Sequence, residues 1–259
     1  TLRSRGLGDV YKRQVNMVNG RPGRFTGNYI MENSVNKLDE SAADLNFAKA
    51  EVVSSLELGY RYNTSDLTID VSAYYNGYQD KIAGIYVYTP IIDATFPTVE
   101  AALEGDNYWE FQVDSNLEND YSTYGVSLEV NKNLSSNLDA NLVYEYNDLD
   151  FTPDPIVEAN VSWNTPEHRI KAGLNYRLDD IINLSVNARY NSEYFYQSSF
   201  FNTDIPENTV LDAKMSLNLK DFNSILEIGG NNIGGDNYIG IPGAGLIGSV
   251  YYAALKMSL

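Results

Sequence analysis

The chain of 259 residues contains no cysteine, a single histidine and only 18 basic residues against 35 acidic ones. The lack of cysteine excludes disulfides, thiolate metal sites and cysteine nucleophiles. The net charge of −17 argues against a nucleic-acid partner, because phosphate backbones are bound by clustered lysine and arginine. No apolar run approaches the length of a transmembrane helix. Tyrosine, by contrast, is abundant at 21 residues, as is ordinary in a β protein with one wet and one apolar face.

Residues 1–14 show no clear helix or strand period and contain no apolar run. Asp9–Gln14 can be written GAT GTG TAT AAG AGA CAG, which is the end of a transposase adapter used for sequencing libraries. The same reading frame continued upstream gives Ser4–Gly8. We therefore interpret residues 1–14 as a translated adapter artefact and exclude them from fold reasoning. On this interpretation the natural N-terminus is missing, and the lack of a signal peptide says nothing about location.

The dominant pattern in the rest of the chain has period two. In Arg169–Leu178, for example, Ile170 and Leu174 fall on one side and Lys171 and Asn175 on the other. Each such segment is a two-faced strand of about the length that crosses a bilayer when tilted. The predicted strands are Ser54–Tyr62, Leu67–Gly77, Thr123–Asn131, Leu138–Tyr146, Arg169–Leu178, Leu184–Asn191, Leu211–Lys220, Ser224–Gly230 and Tyr251–Leu259.

The connections between these strands alternate in length. Four are tight, at residues 63–66, 133–137, 179–183 and 221–223. Four are long and rich in Gly, Pro, Asn and Asp, at residues 78–122, 147–168, 192–208 and 231–250, and residues 15–50 have the character of a further extracellular loop remnant. Short turns at one end and long loops at the other are typical of outer-membrane barrels, whereas a soluble sandwich mixes loop lengths at both ends.

The side chains on the two faces support this interpretation. Tyrosines such as Tyr60 and Tyr144 fall near the two ends of the apolar face, where aromatic girdles meet the lipid–water interfaces. The opposite face carries charges of both signs, which suits a wet lumen and not a dry core. The predicted lumen-facing charges are Arg61, Glu129, Glu145, Lys171, Arg177, Arg189 and Lys214. We predict an all-β fold in which residues 51–259 form part of an antiparallel, up-and-down transmembrane β-barrel.

Three stretches resemble motifs of the TonB-dependent receptor family of Gram-negative outer membranes. They are SSLELGYRYNTSDLTIDVSAYYNGYQDKI, NTPEHRIKAGLNYRL, and LEIGGNNIGGDNY followed by VYYAALKMSL. The chain departs from the family pattern at Ile233, Gly234 and Gly235, where Leu-Phe-Asp is usual, and at Ala254, where glycine is usual. It departs again at Leu259, where an aromatic residue usually ends the chain. The resemblance covers roughly residues 50–259.

The resemblance implies a barrel of about 22 strands filled by an N-terminal plug, of which this chain would supply about nine strands at the C-terminal end. It also implies import of a bulky, scarce nutrient (siderophore-iron, haem, cobalamin or an oligosaccharide) across the outer membrane. The expected partners are outer-membrane lipid and the energy-coupling protein TonB, which acts through the missing N-terminal part. Two alternatives remain open: a passive porin or channel, and a soluble surface β adhesin. No enzymatic activity, cofactor or metal is expected.

The long loops hold the candidate binding residues. Aromatic side chains there either grip a ligand by stacking or pack a loop on itself; these are Trp109, Trp163, Phe195, Phe200 and Phe201. His168 is predicted to be a rim residue and not a ligand, because a metal or haem site needs partners. The acidic residues Asp106, Asp114, Glu118 and Asp120 lack the spacing of a calcium loop, so we expect a solvated face.

Overall fold

The computed structural model describes residues 15–17, 27–45, 48–119, 121–198 and 201–257. Residues 1–14 and Leu259 lie outside this part of the chain, so the adapter interpretation and the predicted strand end at Leu259 stay predictions. Within the described ranges, no helix is long and apolar enough to cross a membrane.

The secondary structure is dominated by strands. In chain order the elements are β1 (Val15–Met17), α1 (Gly27–Asn33), β2 (Val35–Asn36), β3 (Val52–Asn63), β4 (Leu67–Gln79), β5 (Ile82–Pro90), α2 (Val99–Glu104), β6 (Tyr108–Asn116), β7 (Tyr121–Ser135), β8 (Leu138–Phe151), β9 (Glu158–Asn160), β10 (His168–Leu178), β11 (Ile182–Asn191), β12 (Tyr194–Gln197), β13 (Asn202–Ile205), β14 (Asn208–Leu219), β15 (Ser224–Asn231) and β16 (Val250–Met257). A 3-10 turn at Lys220–Phe222 joins β14 to β15.

Nine of these strands form one antiparallel sheet, which we call the main sheet. Its order is β3, β4, β7, β8, β10, β11, β14, β15, β16, so that neighbouring strands follow the order of the chain. This confirms the predicted up-and-down meander and all nine predicted strands. The main sheet is the wall of a barrel left open between β3 and β16. Several strands run past their predicted ends, β7 and β8 most of all.

Strand register keeps one face of the main sheet apolar. Leu174 of β10 lies opposite Val186 of β11 on one side and Ala140 of β8 on the other. The side chains on this face remain uncovered: Leu58 is 76% exposed and Leu174 is 51% exposed. A soluble sandwich would need a second sheet packed over these residues, and the described part of the chain supplies none there.

On the opposite, inner face, an aromatic side chain packs directly over a glycine of the neighbouring strand. Tyr74 lies over Gly125 on the neighbouring strand, and its hydroxyl donates to Asn147 Oδ1 one strand further on, at 2.9 Å. A Cβ atom at Gly125 would lie 2.5 Å from the carbonyl oxygen of Tyr146, which is backbone and cannot yield. Gly125 therefore permits a close approach that no other residue allows.

The short turns at the other end of the main sheet are held by local side-chain bonds. In the β3–β4 turn, Thr64 Oγ1 accepts from the backbone N–H of Leu67 at 3.0 Å. Asp179 and Asn223 occupy left-handed backbone conformations, with φ of 50° and 48°, which short polar residues tolerate best. The ammonium group of Lys132, which donates to Asp66 in the first turn, lowers the pKa of that carboxyl.

The two faces of β10 give a direct test of sidedness in the full-length protein. We expect Leu174→Arg to cost about 2–4 kcal/mol of stability if the residue lies near the bilayer midplane, because a charge facing lipid there has no partner. Asn175→Arg should cost about 1 kcal/mol, the value of one lost hydrogen bond, since Ser185 Oγ donates to Asn175 Oδ1. Denaturant unfolding of the two variants from liposomes measures both effects.

Single cysteines at the same two positions provide the control. This control is needed because Leu174→Arg would also destabilise a soluble protein in which Leu174 is buried in the core. A cysteine at position 174 should react with a lipid-dissolved maleimide and resist a water-soluble one. Shielding of position 174 from both reagents would contradict the transmembrane assignment of the apolar face.

Candidate functional site

Three of the long loop segments combine into a second sheet, which we call the loop sheet. Its order is β1, β6, β5, β2, with β9 also paired to β5. The hairpin β5–β6 comes from residues 78–122, β2 from the preceding loop segment and β9 from residues 147–168. Three chain segments that lie far apart in sequence therefore share one hydrogen-bonded layer beyond the main sheet.

One face of the loop sheet is a hydrophobic core. Val87 of β5 and Phe111 of β6 are 0% and 2% exposed, and they pack with Ile30 of α1 and with Leu45. Burial of each such side chain stabilises the fold by about 1.5–3 kcal/mol. This core fixes α1 and the segment that follows it onto the β5–β6 hairpin.

The other face is polar and centres on Lys37. The Lys37 ammonium lies 2.8 Å from a carboxylate oxygen of Glu110 and 3.3 Å from one of Glu158. It also lies over the rings of Tyr86 and Tyr88, at 5.6 Å and 6.0 Å from their centroids. Partial burial lowers the pKa of Lys37, but the two carboxylates outweigh that effect and raise it above its usual value. The ion pairs of Lys37 thus connect the same three loops that the strands connect through backbone hydrogen bonds.

A fourth loop is attached to this face through the hairpin β12–β13. Tyr86 donates its hydroxyl to the carbonyl oxygen of Ser198 at 3.3 Å. The side chain of Asn164 donates to the carbonyl of Gln197 at 2.8 Å and accepts from its N–H at 2.7 Å. The Asn164 side chain therefore makes the same pair of hydrogen bonds to the backbone of β12 that a neighbouring strand would make.

Trp163 lies between two residues with left-handed backbone. Ser162 and Asn164 have φ of 50° and 42°. Both are held by side-chain bonds, since Ser162 Oγ donates to Asn160 Oδ1 at 2.6 Å and Asn164 contacts Gln197. Non-glycine residues in this conformation are often found at functional sites. The indole of Trp163 has no ring or hydrogen-bond contact among the described residues and is half-buried.

The other loop aromatics divide between two environments. Trp109 packs against the hydrophobic core of the loop sheet. Phe195 of β12 and Phe201, just before β13, are 53% and 43% exposed, while Phe200 lies outside the described residues. The structure therefore brings Phe195 and Phe201 to the hairpin that Asn164 holds beside Trp163, and it places Trp109 in a packing position.

The predicted lumen charges lie on the inner face of the main sheet, and most are paired with a neighbouring strand. The ion pairs are Arg61–Asp70, Arg169–Glu145 (3.2 Å), Arg177–Asp139 (2.8 Å), Arg189–Asp212 (3.2 Å), Lys214–Glu227 (4.0 Å) and Lys256–Glu227 (2.8 Å). In the described part of the chain, Lys171 has no acidic partner and Glu129 has no basic one, although Glu129 accepts from Asn131. Lys171 lies directly opposite Arg189.

His168 stands at the upper end of β10, on the outer face. Its Nδ1 lies 2.9 Å from the hydroxyl of Tyr144, and its ring stacks on the ring of Tyr144. Of the residues that the structure describes, no three acidic or histidine side chains are grouped so as to hold a metal ion. Asp106, Asp114 and Glu118 are thus not gathered into a metal site, and Asp120 lies outside the described residues.

Sequence reasoning did not identify Lys37, Glu110 and Glu158 as a cluster. The signal that was available is the alternation of apolar and polar residues in Tyr108–Asn116, which predicts one further strand. In Ile82–Pro90 this alternation is weak. The pairing of β2 and β9 with β5 had no such signal, because segments of two and three residues carry no period.

The comparisons with known proteins agree with this architecture. The family model described as "TonB dependent receptor-like, beta-barrel" matches residues 6–233. The chain therefore belongs to the TonB-dependent receptor family and represents part of its β-barrel. A search of curated proteins found no match.

Several solved structures have the same fold. The siderophore receptor PirA from Acinetobacter baumannii has a TM-score of 0.54 at 14% identity, covering 85% of this chain and 33% of that chain. The ferric yersiniabactin uptake receptor FyuA from Yersinia pestis has a TM-score of 0.53 at 13% identity, covering 79% and 29%. The FrpB iron transporter from Neisseria meningitidis has a TM-score of 0.52 at 16% identity, covering 74% and 28%. This chain thus spans about a third of these proteins or less.

The Lys37 cluster predicts a local loss of stability when its charge is removed. In Lys37→Met, Glu110 and Glu158 lose their shared cation, and because all three side chains are about a third exposed, solvent screening limits the expected cost to about 1 kcal/mol. Hydrogen exchange at neutral pH should become faster at β2 and β9, with β10 and β11 unchanged. Lys49→Met, on an exposed lysine, is the matched control.

The pH dependence of the same effect has a defined sign. The pKa of Lys37 is raised in the folded state from its usual value of 10.5, so its stabilising contribution is complete below that value and is lost as the pH rises through the raised pKa. Equal exchange rates in wild type and Lys37→Met at neutral pH would contradict the role assigned to Lys37.

Proposed function

We propose that the complete protein imports a bulky, scarce nutrient across the outer membrane of a Gram-negative bacterium, with energy supplied through TonB. The observation that carries this proposal is an in-order antiparallel wall with an uncovered apolar outer face and its long loops gathered at one end. Membership of the TonB-dependent receptor family supports it. We propose transport and no catalysis, with outer-membrane lipid, TonB and a nutrient ligand as partners.

The substrate class is drawn from siderophore-iron, haem, cobalamin and oligosaccharides. The names of the similar structures refer to iron and siderophore uptake, and at 13–16% identity they support the fold and not a substrate. We propose that Trp163, Phe195 and Phe201, with Phe200, contact the ligand above the barrel. The inner-face charges, from Arg61 to Lys214, would line the path below.

A passive porin is the second candidate, because an uncovered apolar face and a charged inner face suit any transmembrane barrel. The energised importer is favoured by the family match. The adhesin alternative lacks support, since Leu56 and Leu58 are 71% and 76% exposed where an adhesin would bury them.

Dependence on TonB separates the importer from the porin. In a host lacking its own receptors, the full-length gene should restore uptake of the nutrient only when TonB is present. The measurement is uptake of a labelled panel (a ferric siderophore, haem, cobalamin and an oligosaccharide) in isogenic strains with and without TonB. Uptake that persists without TonB would favour the passive channel.

The two tryptophans should behave oppositely when truncated. Trp163→Ala should weaken ligand binding by up to about tenfold, because stacking contributes about 0.5–1.5 kcal/mol, with little change in stability. Trp109→Ala should destabilise the loop sheet by about 2–3 kcal/mol, below the range for a fully buried tryptophan. Isothermal titration and hydrogen exchange on the full-length receptor measure the two effects. Identical profiles for both variants would contradict the assignment.

A further inference from the structure

The polar face of the loop sheet contains a gap at Gly84. In the strand register, Gly84 of β5 lies directly between Asp114 of β6 and Asn160 of β9. Because glycine has no side chain, the space above it is left to its neighbours. The gap is the space of this one missing side chain. It lies between β6 and β9, on the same face as Tyr86 and the Lys37 cluster.

The side chain of Gln112 reaches across this gap. A Cβ atom at Gly84 would lie 1.8 Å from Gln112 Nε2, so the amide occupies the position that any larger residue would need. Gln112 is only 8% exposed, and its Oε1 has no hydrogen-bond partner. A buried acceptor without a partner is rare in folded proteins and calls for a group that donates to it.

Asp114 provides a second acceptor two residues further along β6. Its carboxyl is half-buried and has no hydrogen-bond or ion-pair partner among the described residues. Partial burial raises the pKa of this carboxyl, since desolvation disfavours its charged form. Asn160 adds no further acceptor, because its Oδ1 already accepts from Ser162 Oγ.

These groups select a ligand by chemistry. The carboxylate of Asp114 repels anions, and it attracts O–H or N–H donors together with Gln112 Oε1. The Gln112 amide nitrogen, which donates, can in turn pair with a hydroxyl oxygen. A divalent cation fits poorly, because such ions require several oxygen ligands and a single carboxylate is present here. A protein of net charge −17 adds to the preference for an uncharged or positive ligand.

We propose that Gln112 and Asp114, above Gly84, form a subsite that binds a hydrogen-bond-donating group without negative charge: a hydroxyl of a saccharide or an ammonium group. This inference rests on the proposed function, since it concerns the ligand that the loops would capture. It distinguishes this protein from a receptor for anionic iron chelates. Tyr86 lies two residues from Gly84 on the same face of β5, and its ring carries the Lys37 ammonium on one side.

The test uses the full-length receptor in detergent and three kinds of probe. These are an array of uncharged oligosaccharides, spermine as the ammonium source, and ferric citrate as an anionic chelate. We expect binding of a saccharide or of spermine, and the member that binds identifies the source of the donor. Asp114→Asn, which keeps the shape of the side chain, should weaken that binding by about tenfold.

Two further variants complete the design. Gly84→Ala should weaken binding at least as much, because the new methyl group displaces the Gln112 amide. Glu104→Gln removes the same charge from an exposed position at the end of α2 and should leave binding unchanged. Hydrogen exchange of β5 and β6 identifies any variant that has lost the loop sheet, and Asp114→Asn then carries the test alone.

The outcomes separate this inference from the proposed function. Absence of binding by both donor classes at millimolar concentration overturns the subsite, as does donor binding that Asp114→Asn leaves unaltered. TonB-dependent uptake of ferric citrate without donor binding would also overturn it, while leaving the energised importer standing. If a donor binds only when Asp114 is intact, but uptake does not depend on TonB, the subsite is supported and the energised importer is contradicted.

Discussion

A strand that crosses a lipid bilayer must give each backbone N–H and C=O group a partner on a neighbouring strand, because hydrocarbon offers none. The main sheet meets this demand across seven of its nine strands, which pair on both sides. In the described chain β3 and β16 pair on one side only, so in a membrane these two edges require further strands. This chain covers 28–33% of the length of similar proteins of known structure, which accords with that requirement.

Sidedness follows from the same ladder. Once the register is fixed, alternate residues point to opposite faces, so Leu174 and Asn175 have different surroundings although they are adjacent. Cross-strand pairing then neutralises the inner wall, as Arg169–Glu145 and Arg189–Asp212 show. A wall built this way carries few unpaired charges on its inner face, and Lys171 and Glu129 are exceptions among the described residues.

The main sheet could be predicted from sequence because most of its strands repeat their pattern over eight or more residues and end at a recognisable turn. Ile170 and Leu174 lie on the predicted face for that reason. The loop sheet could not be predicted in full. In β5 the sequence Ile85-Tyr86-Val87-Tyr88 is apolar or aromatic throughout, so its alternation is weak, although the faces differ sharply in the fold.

The candidate site could be predicted from sequence only in part, for a further physical reason. Lys37, Glu110 and Glu158 meet only because β2 and β9 both pair with β5, and no local pattern specifies pairing between segments so short and so distant. In the sequence alone, Trp109 and Trp163 are both loop tryptophans, and nothing in the local pattern distinguishes their roles. Only the packing of Trp109 on the core, and the two left-handed residues beside Trp163, separate them.

The loop sheet also limits how loops could be exchanged between this protein and its relatives. Loop exchange between related barrels assumes that each loop is a module with its own turn and its own contacts. Here, transplanting residues 82–119 alone would carry away the central strand β5, leaving β2 and β9 with exposed backbone edges and Lys37 without Glu110. A successful graft would have to move three segments together, so the unit of exchange is the whole loop sheet.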